Sequence, residues 1–369
     1  MLLSLLGAGI HVVWAWRWDR VSMGAEATCD ATPVPNRGVS CDVVTCFHNE
    51  EAHVEGYASA IRPVLDEAES RGMRVHLVAV NHGSTDRTRE LLESEAARDP
   101  RWAVLDVPRT RPGKKEALAA GIGAGTSDVV ALLDADCRPL DRRWLAVVAE
   151  GAGDVWDVLV GIGFPESGPQ ANRGLLGRLQ RLEARRLAHQ AAGAVRAKKP
   201  FLAFGRNLAF TRATWDHVGG FKSHAHVLSG DDDLWLQEAA RSGARVATQL
   251  DPCAQTASSW PSSWVAWRRQ KSRHFTASSA YPRPLQFRLA LPTLATLLLT
   301  AGVVHNPSGT SVGLAALALM ARTLTFGLFL HHAGQPWREA WELVMDPAVS
   351  AFRGWAWWKG ATSESTTWK

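Results

Sequence analysis

Between residues 39 and 250, short apolar runs alternate with amphipathic stretches, and this alternation constrains the fold more than any other feature of the chain. Residues 40–46, 75–80, 102–107 and 129–133 read as buried strands, with predicted helices over 53–71, 85–98 and 114–124 between them. Strands joined through helices run parallel, and the helices cover both faces of the sheet. The predicted class is therefore α/β, a Rossmann-like and mostly parallel sheet. In such sheets ligands bind beyond the carboxyl ends of the strands. The polar clusters fall at those ends: His48, Asn49 and Glu50 after the first strand, residues 81–86 after the second, and Asp134 and Asp136 after the fourth.

The remaining apolar sequence lies at the two ends of the chain. Residues 2–16 are apolar apart from Ser4 and His11, and Arg17 and Arg20 follow. The stretch is slightly short for a hydrocarbon layer of about 30 Å, and Trp14, Trp16 and Trp18 would extend it through the interface. A cleaved signal peptide ending near Ala25 to Ala27 is the competing reading, weakened by the lack of a basic residue ahead of the apolar run. Two further runs, 289–304 and 312–330, are joined by a loop without Lys or Arg, while Arg283, Arg288, Arg338 and Arg353 flank the pair. By the positive-inside rule those flanks face the cytoplasm. Arg322 interrupts the second run, which is costly if it faces lipid. These features predict an anchor over 1–20, a catalytic domain over 38–280, a membrane hairpin over 284–332 and a cytoplasmic tail over 333–369.

With 46% hydrophobic and 21% charged residues, the chain can bury a core and is not a disordered tail. The net charge of +5 suits an anionic small molecule or lipid headgroup. No Lys/Arg run is interleaved with aromatics, which argues against nucleic acid as a partner. Five scattered Cys without a C-x-x-C pair exclude a zinc spacing and point to thiols in a reducing compartment. Residues 174–196 read as a basic, Ala/Leu-rich helix that is solvated or faces the membrane.

Four groups carry the chemistry. Asp134 and Asp136, one residue apart after an apolar strand, can ligate Mg²⁺ or Mn²⁺ and so stabilise a diphosphate. The turn containing Asn81, His82, Gly83, Ser84 and Asp86 permits close backbone approach at its glycine and capping of the next helix. Asp231, Asp232 and Asp233 crowd the start of an apolar helix, where like charges raise each other's pKa and one can serve as a general base. Gln270, Lys271, Arg273 and His274 follow a Trp-rich stretch. The basic groups could contact a diphosphate, and Trp264 or Trp267 could stack on a sugar or lie at the interface. Taken singly, each group also has a structural explanation: surface turn, cap, helix-dipole pairing or juxtamembrane helix.

In this order the motifs resemble glycosyltransferase family 2, of GT-A fold, over roughly residues 40–281. His48 to Glu51 resembles the family's first nucleotide-contacting turn, Asn81 to Asp86 its N-D-G-S-x-D turn, and Lys114 to Leu118 its G-K-x-x-A-L helix start. Asp134-Ala135-Asp136-Cys137 is similar to the metal-binding D-x-D. Phe204 to Ala209, with Gly205 and Asn207, resembles the G-x-N acceptor-side strand, and Val218 to Phe221 the turn that follows. Gly230-Asp231-Asp232 resembles the E-D motif, and Gln270 to His274 the Q-x-x-R-W motif of membrane-bound members. The resemblance implies an inverting transfer of one sugar from a nucleotide-sugar donor, UDP-linked by expectation, to a lipid or other membrane-associated acceptor. It implies Asp232 as base and Arg273 near the diphosphate; Trp267, read from the Trp-rich stretch, is expected on the acceptor side. His82 stands where an acid contacts the base of the nucleotide, and His274 where the synthases have Trp. A processive polysaccharide synthase and a nucleotidyltransferase of similar fold are the alternatives.

Overall fold

The computed structural model describes residues 2–18, 38–110, 113–166 and 174–362, with the side chains of 11–18 and 360–362 left aside. Residues 25–27 and the end of the predicted tail lie outside the described residues. The chain divides into two compact units.

The first unit is the α/β one, built among the described residues from 38–166 and 198–259. Its strands are β1 (Ser40–Phe47), β2 (Arg74–His82), β3 (Trp102–Val107), β4 (Val129–Leu132), β5 (Cys137–Pro139), β6 (Val158–Gly161), β7 (Gly163–Pro165), β8 (Leu208–Thr211), β9 (Val246–Gln249) and β10 (Thr256–Ser258). The main sheet has seven strands in the order β3-β2-β1-β4-β8-β6-β9. β1 pairs in parallel with β2 and β4, and β2 with β3, while β8 runs antiparallel to both β4 and β6. A second sheet has the order β5-β10-β7. This is the mostly parallel sheet that the alternating pattern predicts.

The helices follow the same alternation. The first helix of the chain, α1 (Leu2–Trp18), belongs to the second unit. Then α2 (Glu51–Ser70) joins β1 to β2, α3 (Thr88–Arg98) joins β2 to β3, and α4 (Lys115–Ala124) joins β3 to β4. In α2 the buried residues Val54, Tyr57, Ala58, Ile61, Val64, Leu65 and Ala68 recur at helical spacing and cover the sheet. β2 extends to His82, so Asn81 and His82, expected in the turn, are instead its last two residues. Both are buried, and pairing with β3 continues through His82 and Val107. The helices α5 (Trp144–Ala149), α7 (Arg212–Val218) and α8 (Asp233–Arg241) complete the unit. Among the described cysteines Cys41, Cys46 and Cys137 are free, but Cys253 is disulfide-bonded, so the expectation of thiols throughout fails at that position.

The second unit is helical: α1, α6 (Leu175–Arg196), α9 (Trp264–His274), α10 (Arg283–His305), α11 (Gly309–His332) and α12 (Asp346–Thr362), with a 3₁₀ segment at Trp337–Met345. α10 and α11 are each long and apolar enough to cross a membrane. α1 packs closely on α10, since a Cβ on Gly7 would lie 2.8 Å from the Ala295 carbonyl oxygen. Residues 333–362, expected as a tail, are folded: they form the 3₁₀ segment and α12. The helix α6 is not solvated as expected but largely buried. Its arginines find acids far along the chain: Arg185 pairs with Glu339 and Glu342, and Arg186 with Asp346. Arg322, the charge inside the second apolar run, pairs with Asp346 at 2.6 Å. Partners so distant in sequence leave no periodic signal, which is why the basic helix read as solvated.

Candidate active site

Four strand ends build a polar edge in the α/β unit. Asp134 follows β4 and Asp136 precedes β5, so two short strands hold the pair between them. The ligand atoms of Asp134, Asp136 and Cys137 lie within 4.8 Å of one another. The Cys137 thiol is pushed well above its ordinary range by burial, with Asp136 and Asp134 adding to the effect. A protonated thiol is a poor metal ligand, which leaves two carboxylates, the ligand type of a hard cation such as Mg²⁺ or Mn²⁺. The residues present therefore fit the expected ion.

Lys114, just ahead of α4, ties this pair to the second acid group. Its Nζ lies 2.9 Å from Asp134 Oδ1 and 3.1 Å from Asp231 Oδ2. Burial opposes its charge, but Asp134, Asp231 and Asp232 together hold its pKa well above the usual lysine value. Asp232 is the N-cap of α8: Oδ1 accepts from the Asp233 amide at 2.8 Å and Oδ2 from the Gly205 amide at 3.0 Å. Burial, then the Asp231 charge, pushes the Asp232 carboxyl up to about 6. A Cβ on Gly205 would sit 2.9 Å from Lys114 Nζ, so a side chain there would displace the ammonium.

The first two strand-end turns brace each other. The Asn49 amide donates to Ser84 Oγ at 3.1 Å, and Asn49 Oδ1 accepts from the Thr85 amide at 2.8 Å. The Glu50 amide donates to Thr88 Oγ1, and Asp86 accepts from the Thr88 amide. Asn49, Ser84 and Asp86 thus hold the loops in register. Gly83 takes a positive φ of 57°, and a Cβ there would lie 2.9 Å from that of Arg109. His48 Nδ1 lies 2.7 Å from the His82 carbonyl oxygen, and His48 Nε2 contacts Arg109 Nη1. Nδ1 is thus placed to donate to the His82 carbonyl, with Nε2 turned to the Arg109 guanidinium. His82 is only 2% exposed, and its Nε2 is without a hydrogen bond. Its pKa is lowered by burial, then by Arg109 and His48, so it is neutral at pH 7. Arg109 was not singled out from the sequence; it lies in a Pro-containing loop, and its only signal was its place just after β3.

Two expectations do not survive. Asn207, expected on the acceptor side, is 1% exposed and donates to the Ile162 and Ala254 carbonyls at 2.8 Å. It also accepts from Trp144 Nε1 and so braces the core. Trp267 is fully buried in the helical unit, stacked on Phe352 with ring centroids 4.1 Å apart, and is not available to a sugar. Gln270, Arg273 and His274 lie on α9 of that unit, where Lys271 pairs with Glu183 at 2.8 Å.

Residues 42–217 match the family model for Glycosyl transferase family 2. The chain carries a family 2 glycosyltransferase domain. The match ends before Asp231 and Asp232. Glucosyl-3-phosphoglycerate synthase of Mycobacterium tuberculosis is 34% identical over 113 residues, 29% of this chain and 33% of that protein. The succinoglycan biosynthesis protein ExoA of Rhizobium meliloti is 36% identical over 127 residues, 33% of this chain and 36% of that protein. The chain thus spans about a third of the length of these curated relatives. Among solved structures, the mannosyltransferase PcManGT from Pyrobaculum calidifontis, held with GDP-Man and Mn²⁺, is similar at a TM-score of 0.62 and 21% identity. That likeness covers 99% of this chain and 98% of the other, and with the family 2 domain it establishes the GT-A fold.

Proposed function

We propose that the chain is an inverting, metal-dependent glycosyltransferase that moves one sugar from a nucleotide-diphosphate donor to a lipid or other membrane-associated acceptor. One observation carries this reading: in a family 2 domain, the Asp134 and Asp231 carboxylates converge on the single Lys114 ammonium. Donor-side and acceptor-side acids are thereby within reach of one reacting centre. Asp134 and Asp136 would hold Mg²⁺ or Mn²⁺, which offsets charge on the departing diphosphate. Asp232 takes the proton of the acceptor hydroxyl as its oxygen bonds the anomeric carbon and the bond to the diphosphate breaks. Mn²⁺ beside GDP-Man in PcManGT supports the metal and donor class. Calorimetry of donor binding with and without Mn²⁺ tests it. Asp136→Ala is expected to abolish the metal-dependent part, and equal affinities in wild type and variant would refute the assignment.

A second reading places the base at Asp231. Both Asp232 oxygens already accept backbone amides, whereas Asp231 Oδ2 has no hydrogen bond beyond the Lys114 ion pair. Separate Asn variants decide between them by rate.

The donor is a UDP-sugar in this proposal, read by the edge that includes His48, His82 and Arg109; a panel of UDP- and GDP-sugars tests the base. The family resemblance extends donor contact to Gln270, Arg273 and His274, and an Arg273→Ala variant with unchanged kcat/KM would remove them from it. Release of pyrophosphate instead of a nucleoside diphosphate would select a nucleotidyltransferase. The apolar α10 and α11 support membrane attachment, with the basic flanks in the cytoplasm. The Cys253 disulfide runs against a reducing compartment, and a count of free thiols in protein taken from intact cells tests the location.

A further inference from the structure

The helical unit contains a buried excess of positive charge. Asp346, 1% exposed, receives Arg186 on one oxygen and Arg322 on the other, the latter at 2.6 Å, and Thr296 Oγ1 adds a hydrogen bond at 3.2 Å. Arg353 stands two turns along α12 from Asp346 and so on the same face. Its field, with that of Arg322, adds to burial in lowering the Arg186 guanidinium to about 10. The carboxylates around Arg186 are Asp346 and Glu183, and Glu183 is already engaged by Lys271 at 2.8 Å. These two acids thus also face Arg322, Arg353 and Lys271, while the adjacent Arg185 has Glu339 and Glu342 as its own partners.

The hydrogen-bond donors are in surplus as well. Among the described residues, Arg353 Nη1 is buried without a partner. Ser350, one turn from Asp346 on the same face and 0% exposed, has a buried hydroxyl with no partner among the described residues. A serine inside a helix ordinarily bonds back to the preceding turn or points to water, and this one does neither. Unpaired buried donors and an uncompensated guanidinium are costly, and well-packed apolar residues would serve stability better. The arrangement is explained if an anion rich in acceptor oxygens completes it.

We propose that Arg186, Arg322, Arg353 and Ser350 form a binding site for the phosphate group of an anionic membrane lipid. A phosphate offers several acceptor oxygens to guanidinium forks and carries charge of the size and sign required. The surroundings favour a lipid as its source. The same unit holds α10 and α11, and Trp341, Trp357 and Trp358 are exposed on its surface, as rings at a headgroup layer are. The site rests on the membrane-attachment reading and deepens it.

The test uses the full chain in a neutral detergent, with phosphatidic acid, diacylglycerol and inorganic phosphate as separate probes. Phosphatidic acid is expected to raise the melting temperature and to remain bound in native mass spectrometry, while the other two do neither. Arg353→Gln is expected to weaken phosphatidic acid binding about tenfold or more. The same variant should not lower the melting temperature of lipid-free protein, because it removes an unpaired charge. A lower lipid-free melting temperature, or unchanged phosphatidic acid affinity, overturns the proposal in favour of a structural role. An equal response to inorganic phosphate overturns the lipid assignment. Vesicle sedimentation separates the two readings. Failure to bind any vesicle sinks membrane attachment itself, whereas binding to neutral vesicles that phosphatidic acid does not strengthen sinks only this site.

Discussion

The two units each bury a cluster of like charges around one counter-ion, with opposite signs. In the α/β unit, Asp134, Asp231 and Asp232 surround Lys114. In the helical unit, Arg186 and Arg322 pair with Asp346, and Arg353 acts on Arg186. The acidic cluster opens onto a strand-end edge, with Asp134 half-buried and Asp136 exposed. The basic cluster is more enclosed: Arg186 and Asp346 are nearly inaccessible, while Arg322 and Arg353 keep partial exposure. The contrast suggests different purposes. A site that exchanges donor and ion must be open and tolerate loss of its counter-ion, whereas an enclosed cluster depends on it.

The largest effect is expected where the acidic cluster does chemistry. Asp232→Asn keeps the shape and one of the two amide contacts but loses the proposed base, so kcat should fall by about 10²–10⁴ with donor affinity retained. Single-turnover transfer and calorimetry on the same preparation check both halves. A near wild-type rate would move the base to Asp231.

Next in size is the removal of each central counter-ion. Asp346→Asn leaves Arg186 and Arg322 buried without a carboxylate, which should cost about 3–5 kcal/mol in denaturant unfolding. The carboxyl is held far below its usual range by Arg186 and Arg322 against the opposing effect of burial, which shows how strongly they interact. Lys114→Met should cost less, because a divalent cation can take over the neutralising role at the open edge. Millimolar Mn²⁺ is therefore expected to raise the melting temperature of Lys114→Met more than that of the wild type. Equal losses from the two variants, or no recovery with Mn²⁺, would break the distinction between an open and an enclosed cluster.

The same contrast explains what was legible in the sequence. The strands β1 to β4 and the helices between them were visible because burial on both faces imposes short apolar runs and a helical period, both local patterns. Asp134 and Asp136 stood out because their spacing and strand are contiguous. The reversed β8 between β4 and β6 has only four residues, too short for a period to separate strand from helix. Arg109 was missed and Asn207 and Trp267 were misplaced because exposure depends on distant packing: Trp267 is covered by Phe352, which lies beyond both apolar helices. The basic cluster was invisible for the same reason. Arg186, Arg322 and Asp346 come from three separate helical regions, and Arg322 alone read as a costly charge in an apolar run.

The smallest expected effect is a shift in pH dependence, and it separates the acidic cluster from an ordinary cap. The Asp232 carboxyl titrates at about 6 rather than near 3.8, first because it is buried and then because Asp231 is beside it. The base must be deprotonated, so kcat/KM should fall as pH drops through this region, and a bound cation moves the limb below about 6. Asp231→Asn removes the second cause and should shift the limb further down, leaving the part due to burial. Stability carries the opposite sign. Between the ordinary and the raised pKa the folded state binds more protons than the unfolded one, so this group's contribution is present at low pH and lost as pH rises through about 6. Asp232→Asn should therefore flatten the pH profile of the melting temperature across that window. If Asp232 were only a helix cap, its carboxylate would be favoured by the two amides it accepts. The wild type would then gain stability as pH rose through the ordinary carboxylate range and the variant would remove that rise, the reverse of the expected profile.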